Sequence, residues 1–297
     1  MRNAIPVLSV VAAIVALWYV AVVPMNAQWT LDQAQRAGVE LSFSEIVADT
    51  MNQRRPRLAA PHQILEEIWN TTWVEEVYGR RGIVATGTLS NRSLVYHSWV
   101  TFSATMLGFA MGAALGMALA IGIVYSRTMA GSVMPWVIAS QTIPIIAIAP
   151  MIIVILSSAG ITGLVPKAVI AAYLAFFPVV VGMVKGLNAP EQHQRDLMRT
   201  WNAGGLQTFL RLRLPVSMPY LFASAKVAIA ASVVGIIVGE LPVQQGGLGT
   251  RLLIGSQFGN PVQVWAALFT AAVLAATLVG TVGLIERATL RRMGMAR

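Results

Sequence analysis

Six long apolar runs, none with an acidic residue inside it, leave this chain few folds to choose from. They are 5–24, 98–126, 134–160, 168–184, 221–239 and 264–285. A helix that crosses a bilayer needs about 20 mainly apolar residues. Inside hydrocarbon each backbone N–H and C=O must find its partner within the segment or a closed barrel, so single runs of this length specify helices. The sequence therefore predicts an all-α integral membrane protein with six transmembrane helices. Composition agrees. Only 11% of the 297 residues are charged, where a soluble domain carries roughly 25%.

Lysine and arginine in short loops stay preferentially on the cytoplasmic side. With the N-terminus inside, the segments 1–4, 127–133, 185–220 and 286–297, together with Lys226 at their border, hold twelve cations against three acids. That equals the whole net charge of +9. The basic excess is thus a topology signal, and it removes the motive for a nucleic-acid partner. The first run lacks a strongly basic start and a clear small-residue cleavage site, so it reads as a retained anchor rather than a signal peptide.

Residues 25–92 form a long polar stretch with seven arginines and eight acids. A segment this long escapes the positive-inside bias, which allows an outside location. Its balanced charge and its aromatics Trp29, Trp69, Trp73 and Tyr78 point to partial order. Apolar residues at three- and four-residue intervals predict amphipathic helices over 31–53 and 61–79. The run Arg54-Arg55-Pro56-Arg57 between them reads as a solvated connector or a lipid-headgroup contact.

The second polar island is RDLMRTWNAGGLQTFLRLRLP, residues 195–215. Asn188 and Pro190 are helix-starting residues. At about 100° per residue from Glu191, Leu197, Met198 and Trp201 fall on one side and Arg195, Asp196 and Arg199 on the other. Asn202 to Gly205 then permit a sharp turn, since Asn and Gly tolerate positive φ. A second short helix follows, with Leu206, Phe209, Leu210 and Leu214 on one face and Arg213 interrupting the stripe. Pro215, which lacks an N–H, is expected to end it. Such a hairpin either lies on the headgroups or presents side chains to a cytoplasmic partner.

Other residues invite a role. Pro144 and Pro150 frame TIPIIAIAP in the third run, as a kink or as a broken helix lining a path with Gln141 and Thr142 as its polar groups. Glu240 ends the fifth run, as an outer gate, a contact for an external partner, or a solvated helix end. The small residues of GFAMG and GMALAIG in the second run favour close helix packing. Enzyme chemistry finds no footing. Cysteine is absent and the three histidines, His62, His97 and His193, are scattered. No zinc, phosphate-loop or nucleophile-elbow motif occurs, and no metal site is expected. A gradient-driven carrier usually keeps an ionisable group within the membrane. The spans hold no acid, and Lys226 lies close enough to an end to snorkel. That favours a conduit driven by something else, with a secondary carrier or channel as the alternative.

The 195–215 stretch resembles the EAA loop of binding-protein-dependent ABC importer permeases, whose pattern is E-A-A-x-x-x-G followed by an apolar residue, x, Leu-Pro. Asp196-Leu197-Met198 stand in the E-A-A positions, Asn202 in the glycine position, and Leu212-Arg213-Leu214-Pro215 completes the spacing. SQTIPIIAIAPMIIV (140–154), 214–240 and GGLGTRLL (246–253) are similar to the subgroup that imports nitrate, taurine, aliphatic sulfonates and pyrimidine-type thiamine precursors. The resemblance covers roughly 95–290. It implies a bacterial inner-membrane subunit, both termini cytoplasmic, that pairs as a homodimer around a path for a small polar solute. It also implies an extracytoplasmic solute-binding protein and separate cytoplasmic ATPase subunits, which carry the ATP and Mg; this chain would bind no cofactor. By the same resemblance the EAA loop spans about 188–216, with Arg195, Asp196 and Arg199 as polar contacts to the ATPase and Leu197, Trp201, Leu206 and Phe209 as buried ones. The expected domains are an anchor (1–24), an extracytoplasmic polar segment (25–92), the permease domain (93–290) and a basic tail (291–297).

Overall fold

A computed structural model describes residues 4–74, 93–243 and 246–295. Every regular element among them is helical: α1 (Ala4–Ala37), α2 (Phe43–Asn52), α3 (Pro61–Trp69), α4 (Leu94–Tyr125), α5 (Arg127–Ser140), α6 (Ile145–Ser158), α7 (Leu164–Leu187), α8 (Gln192–Thr200), α9 (Gly205–Thr208), α10 (Leu214–Val243), α11 (Leu248–Gln257) and α12 (Pro261–Arg292). Five helices, led by α1, α4, α7, α10 and α12, are long and apolar enough to cross a membrane. The third expected span is not one rod. Its halves α5 and α6 meet at 102°, because the break at 141–144 falls where Pro144 removes a helix hydrogen bond. Counted as one span, the bent pair brings the number among the described residues to six.

The helices group into two compact units. One contains residues 1–97 and 250–270, the other 98–249 and 271–297.

In the first unit, α1 runs on through Pro24 to Ala37. Its lower part is apolar and exposed, as a lipid-facing surface is, with Ile5, Leu8, Leu17 and Val20 all outward. Its upper part holds a polar cluster. Asn26 Nδ2 donates to the carbonyls of Thr50 and Leu58 at 3.2 and 2.9 Å, and its Oδ1 accepts from Leu58 N. Gln53 Nε2 donates to Asn26 O and to Thr30 Oγ1. Asn26, Thr30, Thr50 and Gln53 are all buried, and their mutual satisfaction fixes α2 and the connector against α1. The helix expected over 31–53 is therefore interrupted. Gly38 turns the chain at φ +66°, and Ser42 restarts it by accepting from Glu45 N while its own N–H donates to Glu45 Oε2. Those hydrogen bonds, the backbone one first, hold the Glu45 carboxyl below its ordinary pKa. The helix expected over 61–79 runs to Trp69, and a π-helical turn continues it through Val74; Tyr78 and the rest lie outside the described residues. Trp18 packs on Trp265 and Phe269 of α12, centroids 4.9 and 5.6 Å apart.

The second unit is built on α7, the most enclosed helix, with 56% of its apolar window buried against 6% in α1. Its neighbours touch it through small residues. A Cβ on Gly108, Gly112 or Gly116 of α4 would sit 2.4–2.8 Å from Ala171, Ala175 or Val179 of α7. On another face Gly182 and Gly186 of α7 abut Ser224 and Ser217 of α10. Without an apolar-versus-water driving force in lipid, such close backbone approach is what helix association has to work with. The core that results contains Ala120, Ala175, Val179, Met183, Leu187 and Ala228.

Because the nearest atoms at Gly112 include the Ala172 carbonyl at 2.7 Å, the backbone of α7 must move for any side chain there. Gly112→Val is expected to cost about 3 kcal/mol and to lower the unfolding temperature of the detergent-solubilised protein, read by tryptophan fluorescence. Gly131→Val, at a site with open space, is expected to leave it near wild type.

Candidate functional site

The 188–216 hairpin is built locally. At its start Glu191 N donates to Gln194 Oε1 at 3.0 Å, half of a capping box that opens α8. At the end of α8 the Asn202 N–H donates to Arg199 O (2.9 Å) and the Ala203 N–H to Met198 O (3.0 Å). This is the paired closure of a Schellman motif, which demands a left-handed conformation at the first of the two donors. Asn202 supplies it at φ +50°, the one positive φ outside glycine among the described residues. The residue in the family's glycine position thus does the backbone work that position needs.

The chain does not stop at Pro215. From Gly205 it stays helical to Val243, with one π-helical turn at Phe209–Arg213. There the Leu214 N–H reaches back five residues to Phe209 O. Widening the ladder just before Pro215 lets the helix absorb a residue that lacks an N–H and would otherwise clash with the carbonyl of the preceding turn. Arg213, which interrupts the apolar stripe, lies over the Tyr125 ring at 5.2 Å, a cation–π contact.

The expected contact residues fall into two groups. Trp201 and Leu206 are each 71% exposed and Leu197 is 51% exposed, large apolar side chains displayed on a hairpin that also carries charge. Beside them Asp196 pairs with Arg199 at 3.5 Å and accepts from Gln192. Arg195 is half-buried, its Nε without a hydrogen-bond partner. Met198 and Phe209 turn the other way. Met198 is buried, and Phe209 packs on the α7 core and edge-on to Tyr125. Stripe periodicity could not separate these two directions, because α8 and the 205–213 turn each use a different face.

At the α5–α6 bend Gln141, Thr142 and Pro144 are exposed. Thr142 N and Oγ1 both donate to Ala139 O, at 3.0 and 2.7 Å, and the Tyr173 hydroxyl of α7 donates to Ser140 O. Pro150 lies within α6, also exposed, and does not break it.

Glu240 is fully buried. Thr101 Oγ1 donates to its carboxylate at 2.8 Å and Gly249 N at 2.8 Å, while Leu248 N donates to Thr101 Oγ1 at 2.9 Å. Lys167, 2% exposed, donates to Gly246 O at 3.0 Å and faces Glu240 electrostatically. Gly247 and Gly249 have no room for a Cβ, whose nearest atoms would be the Glu240 carboxylate at 2.0 Å and the Ile237 carbonyl at 2.3 Å. One carboxylate thus holds the Gly246–Gly249 turn against α4 and α10. Lys167 lay just outside the expected fourth span and carried no sequence signal of this pairing. Lys226, read as snorkelling, is instead ion-paired with Glu286 of α12; the clue was a lone acid at the corresponding end of the last run.

Removing the clamp should loosen the turn before the bundle. Glu240→Ala strands Gly249 N–H and the Lys167 cation and is expected to cost about 3 kcal/mol. Glu240→Gln keeps one acceptor and should cost less. Hydrogen exchange at 246–250, measured by mass spectrometry, should rise more in the alanine variant than exchange in α7.

Residues 93–292 match the family described as binding-protein-dependent transport system inner membrane component. The chain is 30% identical over 157 residues to a probable ABC transporter permease protein of Haemophilus influenzae, covering 53% of this chain and 62% of that one. It is 29% identical to the formylaminopyrimidine transport permease protein ThiX of Halalkalibacterium halodurans, over 65% of this chain and 75% of that one. The fold is similar to a chain of the inward-facing MetNI methionine ABC transporter, with TM-score 0.53 and 22% identity over 66% of this chain and 94% of that one. A helical bundle with five long apolar helices and one bent pair, a hairpin of EAA-loop spacing and a family match across two thirds of its length make this chain a member of the binding-protein-dependent ABC permease family.

Proposed function

We propose that this chain forms the membrane path of an ATP-driven importer and is moved by a separate ATPase that grips the 188–216 hairpin. The observation that carries this reading is the pair Trp201 and Leu206, each 71% exposed on a segment too charged to dissolve in lipid. Apolar side chains displayed on a helix with charged neighbours are the usual anchors for insertion into a partner's groove. Leu197, 51% exposed, is a third. Arg195, Asp196 and Arg199 supply rim contacts, while Met198, Asn202, Leu214 and Pro215 shape the hairpin. Phe209 supports it from within its own subunit. ATP and Mg belong to the ATPase; this chain binds neither.

In this reading the domains are an anchor (1–24), an extracytoplasmic segment (25–92), the permease domain (93–290) and a basic tail (291–297), with both termini cytoplasmic in a bacterial inner membrane. Two copies pair around the path. The exposed Gln141 and Thr142 at the bend, with Pro144 and Pro150 exposing backbone polar groups, line it. Glu240 fixes the 246–249 turn on which an external solute-binding protein would rest. The cargo is a small polar solute of the nitrate, sulfonate, taurine or pyrimidine-precursor class, and the formylaminopyrimidine relative supports the last of these.

Trp201→Asp and Leu206→Asp place a charge in the proposed groove contact without touching the bundle. Each is expected to cut co-purification of the ATPase by about thirtyfold, the scale of an interface hot spot, with membrane insertion unchanged; full retention of the ATPase would exclude the docking role. Topology is tested separately. The chain has no native cysteine, so Asn52→Cys, at an exposed position, offers one clean thiol. An impermeant maleimide should label it in intact spheroplasts, and labelling only after lysis would reverse the orientation.

A further inference from the structure

The apolar part of α1 ends at a defined height, and an arginine run is fastened to it there. The run 5–24 makes about 30 Å of helix, the thickness of a hydrocarbon core. Gln28 stands four residues past Pro24, about 6 Å higher, and the headgroup layer of a bilayer adds roughly 5–7 Å on each side. Gln28 is exposed, and so are Val10 and Leu17. These three share one side of α1, because eighteen residues make about five full turns and eleven about three. The side that shows apolar groups along the span therefore shows Gln28 at its edge, with the exposed Trp29 next to it.

Arg57 Nη1 donates to Gln28 Oε1 at 3.0 Å. The backbone around it is held at the same height. Leu58 N donates to Asn26 Oδ1 at 3.1 Å, Asn26 Nδ2 donates to Leu58 O at 2.9 Å, and Gln53 Nε2 donates to Asn26 O at 3.2 Å. One residue further on, Ala59 O accepts the indole N–H of Trp18, inside the apolar run, at 3.0 Å. The Arg54-Arg55-Pro56-Arg57 run is thus tied at both ends to α1, where its polar part meets its apolar part. Pro56 is buried while Arg54, Arg55 and Arg57 are exposed, so the run rests on its proline and displays its guanidinium groups.

We propose that this arginine run binds the phosphate groups of anionic phospholipids, with Trp29 seated among the headgroups beside it. A guanidinium keeps its charge at every physiological pH, and its fork matches phosphate oxygens in pairs. Each arginine held near an anionic lipid surface strengthens binding by about fivefold. Indole rings collect at the same level of a bilayer, one edge polar and the body apolar. Height is what separates this reading from a solvated connector: the ties to Asn26, Gln28 and Trp18 keep the run at the headgroups instead of in bulk water. Arg54 and Arg55 also border a hollow that Glu67 lines, while Arg57 is fastened to the exposed side of α1, so the three arginines are tested as one unit.

The test uses the full chain in phosphatidylcholine nanodiscs, with a bimane attached through Asn52→Cys, an exposed position close to the run. A nitroxide near the top of the acyl chain quenches bimane on contact, and it is supplied on a trace of phosphatidylglycerol or of phosphatidylcholine. Phosphatidylglycerol is expected to quench about fivefold more effectively at equal mole fraction, the excess shrinking as salt rises. Arg54→Gln/Arg55→Gln/Arg57→Gln should bring the two lipids level. Arg54→Lys/Arg55→Lys/Arg57→Lys should keep most of the excess, which separates lost charge from lost structure. Arg291→Gln/Arg292→Gln, in another basic segment, should leave it unchanged. Equal quenching by the two lipids with the run intact, an excess that survives the glutamine variant, or one lost in the lysine or the 291–292 variant would overturn the site. Glycerol 3-phosphate added at constant ionic strength distinguishes the source of the phosphate: loss of the excess would mean that a soluble phosphate takes the arginines, which overturns a lipid ligand. A nanodisc exposes both leaflets and holds no ATPase, so failure here leaves the proposed topology and docking standing, and the reverse.

Discussion

The bundle depends on how closely α7 is approached by its neighbours. Gly108, Gly112 and Gly116 bring the backbone of α4 to within reach of the α7 carbonyls, and Gly182 and Gly186 do the same toward α10. In lipid, apolar side chains gain little by leaving one hydrocarbon for another, so contact distance and backbone packing take over the role that water plays in soluble cores. The candidate site residues are hung on that arrangement. The hairpin continues directly into α10, the bend between α5 and α6 is tied to α7 by Tyr173, and Lys167 at the first turn of α7 reaches the 246–249 turn.

Two polar devices stabilise the ends of the bundle. Lys226 and Glu286 pair between α10 and α12, and Glu240 gathers Thr101 and Gly249 around one carboxylate. Neither reads as a proton pathway. Each ionisable group is spent on a partner from another helix or on a turn, which is the arrangement that makes buried charge tolerable. The groups a gradient-driven carrier would need are thus present by type but committed by geometry.

How much of this was legible beforehand follows from range of interaction. The spans are local hydropathy: five emerged as long helices at nearly their expected places, and the third as a bent pair. The left-handed Asn202 was legible because turn chemistry is written in two or three adjacent residues. Pro215 misled, since a rule about one missing N–H ignores the wide turn at 209–213 that can absorb it. The helix over 31–53 was cut at Gly38 and Ser42, a glycine and a cap that the apolar spacing had overridden. The packing of Phe209 and the Glu240 clamp were not legible at all, because each joins residues dozens of positions apart.

The continuity of the chain from Gly205 to Val243 carries one more consequence. Thirty-nine residues of helix make a strut about 58 Å long, roughly twice the thickness of the hydrocarbon it crosses. A strut of that stiffness does not damp a push. A few degrees of rocking applied at Leu206 would arrive at Glu240 as several ångströms of sideways travel, with the wide turn before Leu214 and the internal Pro219 and Pro242 as the places where the helix can yield. The hairpin and the Glu240 clamp are thus the two ends of one helix.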